Sequence, residues 1–123
     1  VLRKLLILAR EAGIPLEEED IAQAPLPEPE DEAAYAALHS AAAARGCKLR
    51  YVASLVRDAS APKGWNAAIG LQEAGPESPL YALHGTDNCV LLQTEDYVSP
   101  LVIQGAGAGA RHTASGLLND ILR

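Results

Sequence analysis

The sequence predicts an α+β fold, in which a mostly antiparallel sheet carries helices packed on one face. Two observations support this class. Hydrophobic residues recur with a helical period over residues 1–12 and 31–45, and after Gly46 they alternate with the period of two that is typical of strands. A chain of 123 residues with 49% hydrophobic residues can bury one core, so residues 1–123 are predicted to form a single domain.

Three helices are predicted, each from its own start and stop signals. Over residues 1–12 the polar residues share one stripe and apolar residues cover the rest, which predicts a mostly buried helix that Gly13 ends. Residues 31–45 predict a helix with acidic residues in its first turn and Gly46 at its C-cap. The last helix is predicted from about Thr113 to the end of the chain, with Thr113 as its N-cap.

The predicted strands follow from alternation and from the turns that separate them. The stretches "CKLRYVASLVRD" (47–58) and "WNAAIGLQEA" (65–74) predict an antiparallel hairpin. A short strand is predicted within "IAQAPL" (21–26), a long one over "NCVLLQTED" (88–96) and a further one over "SPLVIQG" (99–105).

Composition excludes several classes of function. The net charge of −6 disfavours a nucleic acid partner, because phosphates need cations to neutralise them. Cys47 and Cys89 are far apart and lack metal-ligand spacing, so they predict free thiols, a reducing compartment and a cytoplasmic protein. The longest apolar run, "LLILA" (5–9), falls far short of the ~20 residues that a membrane span requires, which predicts a soluble protein.

Several conspicuous residues receive a structural interpretation. The acidic run 17–20 is consecutive, so its side chains diverge, and we interpret it as a solvated turn without a metal site. Trp65 is expected to anchor a sheet or an interface. Asp87 and Asn88 suit a turn before a strand, and no catalytic role is assigned to them. His39 is expected to be exposed, His84 to lie in a turn and His112 to lie at the start of a helix.

The stretch "GAGAGARHTASG" (105–116) is the one pattern that suggests ligand binding by itself. A strand, three alternating glycines and a helix start would present free backbone N–H groups and a positive dipole end to a phosphate or carboxylate. The spacing differs from the G-x-G-x-x-G dinucleotide fingerprint. Pattern alone therefore favours close packing of strand and helix over ligand binding.

Four stretches together resemble one enzyme family. They are "RKLLILAREAG" (3–13), "LRYVA" (49–53), "PLYALHGTDNCVLLQTEDY" (79–97) and "PLVIQGAGAGARHTASGLLNDILR" (100–123). In this order they resemble the C-terminal part of homoserine dehydrogenase, found alone or fused behind aspartokinase. Both ends of the chain also lack helix caps or stop signals, so we expect a piece cut from a longer protein.

The resemblance implies an enzyme of threonine and methionine biosynthesis that interconverts homoserine and aspartate 4-semialdehyde. The hydride carrier would be NAD or NADP; the residues that distinguish the two lie in a Rossmann domain that this chain lacks. Residues 1–123 would form the substrate-binding and dimerisation domain of a homodimer, with 105–123 returning to the missing nucleotide domain. The isolated chain is therefore expected to bind no cofactor and to be inactive.

The resemblance also implies site residues. Lys4 matches the family's catalytic lysine, whereas the aspartate that would precede Val1 is absent. Without the resemblance, a solvated surface charge would be the expected role of Lys4, because helical spacing alone cannot identify a catalytic lysine. The family's glycine loop beside cofactor and substrate matches Gly105, Gly107, Ala108 and Gly109, with Ala106 where proline is common.

Two other functions remain open at this point. A small α+β unit could be a regulatory module that binds an amino acid such as threonine, homoserine or lysine. It could also be a pure dimerisation element that self-associates and binds no small ligand. Binding measurements on the isolated chain distinguish these two functions.

Overall fold

The computed structural model describes residues 1–122 and divides the chain into two compact units, one over Val1–Gly75 and one beginning at Pro76. The first unit contains helix α1 (Leu2–Glu11), strand β1 (Ile21–Gln23), helix α2 (Glu32–Ala44) and strands β2 (Lys48–Arg57) and β3 (Trp65–Ala74). The second contains strands β4 (Asp87–Leu92) and β5 (Leu101–Ala106) and helix α3 (Ala110–Leu122). The predicted α+β class is confirmed, and residues 1–122 contain no Rossmann unit.

The first unit is built on a three-stranded sheet with the order β1-β3-β2. The predicted hairpin is confirmed, since β2 and β3 pair antiparallel from Lys48 opposite Ala74 to Arg57 opposite Trp65. The short strand β1 is also confirmed, and it pairs parallel with β3. Pro25 follows soon after β1 and has no N–H to continue a ladder, which is consistent with a strand of only three residues.

The core of the first unit lies between α1 and the sheet. Its buried residues are Leu5, Ala9, Ile14, Leu16, Ile21, Ala67 and Ile69. Trp65 packs against this cluster, which confirms its role as a sheet anchor. The prediction that α1 is mostly buried is wrong. Only Leu5 and Ala9 are buried in it, because the sheet covers a single face of the helix and the apolar residues beyond that face stay exposed.

Helix ends in the first unit agree with the glycine signals. Gly13 follows α1 with φ 75° and Gly46 follows α2 with φ 70°, both in the left-handed region that glycine adopts at least cost. Helix α2 begins as predicted, because the Asp31 carboxylate accepts a hydrogen bond from the Ala34 N–H at 2.9 Å. None of the helices within residues 1–122 has the length and apolar content that crossing a membrane requires.

The second unit contains the antiparallel pair β4-β5, whose register runs from Asp87 opposite Ala106 to Leu92 opposite Leu101. Strand β4 ends four residues before the predicted boundary, because the Thr94 hydroxyl accepts the Tyr97 N–H at 3.2 Å and the chain turns there. The predicted turn at residues 87–88 is wrong, since both residues already belong to β4.

Helix α3 begins earlier than the sequence predicts. It starts at Ala110, and the Thr113 N–H donates a helical hydrogen bond to the Gly109 carbonyl at 3.0 Å. Thr113 is therefore inside the first turn, and the prediction that it is the N-cap is wrong. Gly109 has φ 135°, a conformation that side chains disfavour, and this glycine lets the chain enter the helix three residues before the threonine.

Candidate functional site

Lys4 lies in the first turn of α1, and its side chain is exposed. It makes no ion pair with any residue in the described range 1–122. Its helical neighbours three and four positions away are Val1, Ile7 and Leu8, whose exposed fractions are 56%, 60% and 53%. A cation surrounded by exposed apolar side chains is typical of a surface that another part of a protein covers.

The predicted glycine loop has a different extent in the structure. Gly105 lies inside β5, so the connection between β5 and α3 consists of Gly107, Ala108 and Gly109. A Cβ atom added to Gly105 would meet no heavy atom within 4 Å, so the backbone is open at this position. Gly109 is required by its φ of 135°, irrespective of any ligand.

Gly107 is covered by a side chain that the sequence did not single out for the site. A Cβ atom built at Gly107 would overlap the carboxamide of Asn88, with its Oδ1 only 2.6 Å away. The missing side chain at Gly107 therefore makes room for a residue of β4, which is a different contact from the predicted packing of strand against helix. The available sequence signal was the adjacent "TDN" stretch (86–88), but its proximity to Gly107 depends on the register of β4 with β5.

The acidic run is a turn held by basic residues. Residues Glu18–Asp20 form a short 3₁₀ helix, and the Asp20 carboxylate accepts the Glu17 N–H at 2.7 Å. Lys63 contacts Asp20 at 2.6 Å, and Arg10 contacts Glu17 at 2.9 Å. The hydrogen bond from Lys63, and then that from the Glu17 N–H, lower the pKa of Asp20. Within residues 1–122 no three potential metal ligands of the His, Cys, Asp or Glu type lie together.

An open groove of about 480 Å³ lies where α2 meets the start of β2. Its lining includes the charged or titratable residues His39, Lys48 and Arg50, together with Cys47, which is a free thiol like Cys89. His39 is exposed as predicted. The His84 carbonyl accepts the Asp87 N–H at 3.0 Å, as in the predicted turn, and His112 lies in the first turn of α3. The groove contains none of the site residues that the sequence predicts.

Comparison with known proteins decides the family. The sequence model described as homoserine dehydrogenase matches residues 1–122. The chain belongs to the homoserine dehydrogenase family. Its relatives include the homoserine dehydrogenase of Emericella nidulans, 34% identical over 145 residues, an alignment that covers 100% of this chain and 38% of the relative. A chloroplastic bifunctional aspartokinase/homoserine dehydrogenase 2 of Zea mays is 36% identical over 140 residues, covering 100% of this chain and 15% of the relative.

Two solved structures share the fold of this chain. A Candida auris protein of unknown function superposes with a TM-score of 0.76 at 32% identity, over 98% of this chain and 37% of that one. Staphylococcus aureus homoserine dehydrogenase superposes with a TM-score of 0.72 at 18% identity, over 98% of this chain and 29% of that one, which shows the shared fold. This chain thus spans less than two fifths of the length of each of these relatives.

Membership of the homoserine dehydrogenase family confirms the resemblance drawn from the sequence. The roles of the individual residues stay predictions. Lys4 lies in the first unit. The residues of the predicted glycine loop lie in the second; they are Gly105, Gly107, Ala108 and Gly109.

Proposed function

We propose that this chain is the substrate-binding and dimerisation part of a homoserine dehydrogenase that interconverts homoserine and aspartate 4-semialdehyde in threonine and methionine biosynthesis. The observation that carries the proposal is the family match over residues 1–122, supported by alignments to relatives named homoserine dehydrogenase over the whole chain. A cytoplasmic location is proposed from the free thiols, although the plant relatives are named chloroplastic.

Lys4 is proposed to move the proton of the reaction. A nicotinamide cofactor, NAD or NADP, supplies or accepts the hydride when bound. Reduction of the aldehyde leaves an alkoxide oxygen, and the Lys4 ammonium can donate a proton to it and take the proton back in the reverse direction. The exposed apolar neighbours Val1, Ile7 and Leu8 support this role, because covering them would keep water away from the ammonium.

The residues of the second unit fit a contact with a nicotinamide nucleotide. The open backbone at Gly105 permits close approach, and the first N–H groups of a helix such as α3 have no partner within the helix. Gly105, Gly107, Ala108 and Gly109 would line the cofactor, and the N–H groups at the start of α3 would supply the hydrogen bonds, since the Gly107 N–H already donates to the Thr86 carbonyl. Residues 1–122 contain no Rossmann unit, so the isolated chain is proposed to bind the nucleotide too weakly to measure and to be inactive.

The homodimer is proposed from the exposed apolar residues of β4 and β5. None of the residues 76–122 is buried, and the strand pair has apolar side chains on both faces. Ile103 and Leu92 lie on one face and Leu91 and Val102 on the other, and they are 55%, 46%, 36% and 42% exposed. A strand pair that is apolar on both faces is typical of a buried layer, so a second copy is proposed to cover one of them.

Analytical ultracentrifugation and calorimetry on the isolated chain test the last two proposals. A dimer that gives no heat with NAD or NADP is the expected result. A compact monomer at high concentration would contradict the dimer, and micromolar nucleotide binding would show that the cofactor site is misplaced.

For the regulatory alternative, a candidate location is the open groove with His39, Lys48 and Arg50. Cations in a groove can bind the carboxylate of an amino acid. Saturable binding of threonine, homoserine or lysine to the isolated chain, lost in Arg50→Ala, would favour this function.

Activity is tested in the longer protein that carries these residues. We expect homoserine-dependent reduction of NAD or NADP, followed by the absorbance of the reduced nicotinamide. A folded protein that reduces neither nucleotide with homoserine, and oxidises neither with aspartate 4-semialdehyde, would refute the proposed function.

A further inference from the structure

Asn88 reaches Gly107 because of the register between β4 and β5. Asn88 lies directly opposite Gly105 in the antiparallel pair. The residue two positions further along β5, Gly107, falls on the same face as a diagonal neighbour. With no side chain at either glycine, the Asn88 carboxamide lies over Gly107, where it occupies the volume that a Cβ atom would need.

The two glycines differ sharply in their surroundings although they share this face. A Cβ atom at Gly105 meets nothing within 4 Å, even though Asn88 stands opposite. A Cβ atom at Gly107 would overlap three atoms of the Asn88 carboxamide. The side chain of Asn88 therefore leans away from Gly105 and towards the connection that leads into α3.

Residues next to Asn88 hold the same connection. The Gly107 N–H donates to the Thr86 carbonyl at 2.8 Å, which extends the ladder one pair beyond β5. The Thr86 hydroxyl donates to the Ala108 carbonyl at 3.4 Å, and the Gln104 amide donates to the Asp87 carboxylate at 3.0 Å. All three residues of "TDN" (86–88) thus contact the stretch 104–108.

We propose that Asn88 is a positioning residue: by packing over Gly107 it holds the connection Gly107–Gly109 in the conformation that receives the nicotinamide nucleotide. This inference rests on the proposed function, which assigns these glycines to the cofactor. Because this connection already has one conformation before the nucleotide binds, the binding free energy is not reduced by the loss of its conformational entropy. Gly107 is then a glycine because a side chain there would displace the Asn88 carboxamide.

Four variants of the longer protein test the proposal: Asn88→Ala, Gly107→Ala, the double variant, and Gly116→Ala as the matched control, because Gly116 lies in α3, has no role in the proposed site, and has no heavy atom within 4 Å of an added Cβ atom. Asn88→Ala is expected to raise the KM for the nucleotide about 5- to 30-fold. This factor corresponds to the conformational entropy of one backbone residue, which nucleotide binding would then have to fix. The kcat and the KM for homoserine should change little. Gly107→Ala should show the same pattern, and Gly116→Ala should behave like the parent.

The double variant separates a steric contact from two independent effects. If the Gly107 methyl group acts by displacing Asn88, the double variant should be no worse than Asn88→Ala alone. Multiplicative losses in the double variant, or a Gly116→Ala loss equal to that of Gly107→Ala, would overturn the proposal.

Amide hydrogen exchange without nucleotide gives a measurement that does not depend on activity. The Gly107 N–H is hydrogen-bonded to the Thr86 carbonyl, so its exchange should accelerate in Asn88→Ala and stay unchanged in Gly116→Ala. Unchanged exchange in Asn88→Ala would overturn the inference even in an active enzyme. Accelerated exchange with an unchanged nucleotide KM would overturn the role towards the nucleotide and leave the proposed function standing. Accelerated exchange in a protein without homoserine-dependent activity would support the contact with Gly107 and refute the proposed function instead.

Discussion

Replacement of Lys4 by alanine in the longer protein should separate catalysis from stability. A positioned acid or base contributes about 10²- to 10⁴-fold to the rate, so kcat should fall by that factor, equivalent to about 3 to 5.5 kcal/mol. The folded state should lose much less. Lys4 is exposed and makes no ion pair within residues 1–122, so the free energy of unfolding should change by no more than about 0.5 kcal/mol.

The assay measures the initial rates of homoserine oxidation at saturating nucleotide, alongside denaturant unfolding and nucleotide affinity. Arg3 is the matched control, because it is a neighbouring exposed cation on α1, and Arg3→Ala should keep near-normal kcat. Lys4→Arg should not restore the rate, since a guanidinium keeps its proton. Near-normal turnover of Lys4→Ala would refute the reasoning and return Lys4 to the role of a surface charge. An equal loss of kcat in Arg3→Ala would show that turnover depends on the surface of α1 in general and not on the Lys4 ammonium.

Two further predictions concern the stability of the first unit. Leu16 is 1% exposed in the core, so Leu16→Ala should lower the free energy of unfolding by about 2 to 5 kcal/mol. Leu26 is 43% exposed, and Leu26→Ala should lower it by under about 1 kcal/mol. Equal losses for the two variants in urea unfolding would contradict the burial of Leu16 in the core. The pKa of Asp20 is lowered in the folded state by its hydrogen bonds from Lys63 and the Glu17 N–H, so this carboxylate stabilises the fold above pH ~4, and the stabilisation is lost as the pH falls through its folded pKa. Between about pH 5 and pH 2, the melting temperature of Asp20→Asn should therefore fall less than that of the parent. If the melting temperature depends on pH in the same way in both proteins, the ion pair between Asp20 and Lys63 contributes nothing to stability.

Local signals were sufficient for most of the elements. Three signals act through residues close in sequence: the apolar period over α2, the alternation in β2 and β3, and the glycines after α1 and α2. The elements that they specify could therefore be predicted from the sequence itself. The same holds for the family, whose motifs are local stretches. Lys4 entered the candidate site through such a motif, since helical spacing cannot distinguish a catalytic lysine from a solvated one.

Features that depend on which segments meet could not be obtained in this way. The parallel pairing of β1 with β3 joins residues more than forty positions apart, and nothing local encodes its direction. The exposure of Ile7 and Leu8 depends on the sheet covering only one face of α1. The early start of α3 depends on the positive φ of Gly109, which the chain adopts ahead of the favourable cap at Thr113.

The sequence by itself determined the α+β class, the helices of the first unit, the hairpin, the family and the candidate lysine, because each is encoded by periodicity or by a contiguous motif. The tertiary structure alone decided the partner of Gly107. Asn88 and Gly107 lie nineteen positions apart, and only the register of β4 against β5 puts the carboxamide over the glycine. A shift of one residue in that register would turn the side chain to the opposite face, and this long-range choice is set by packing across the strand pair.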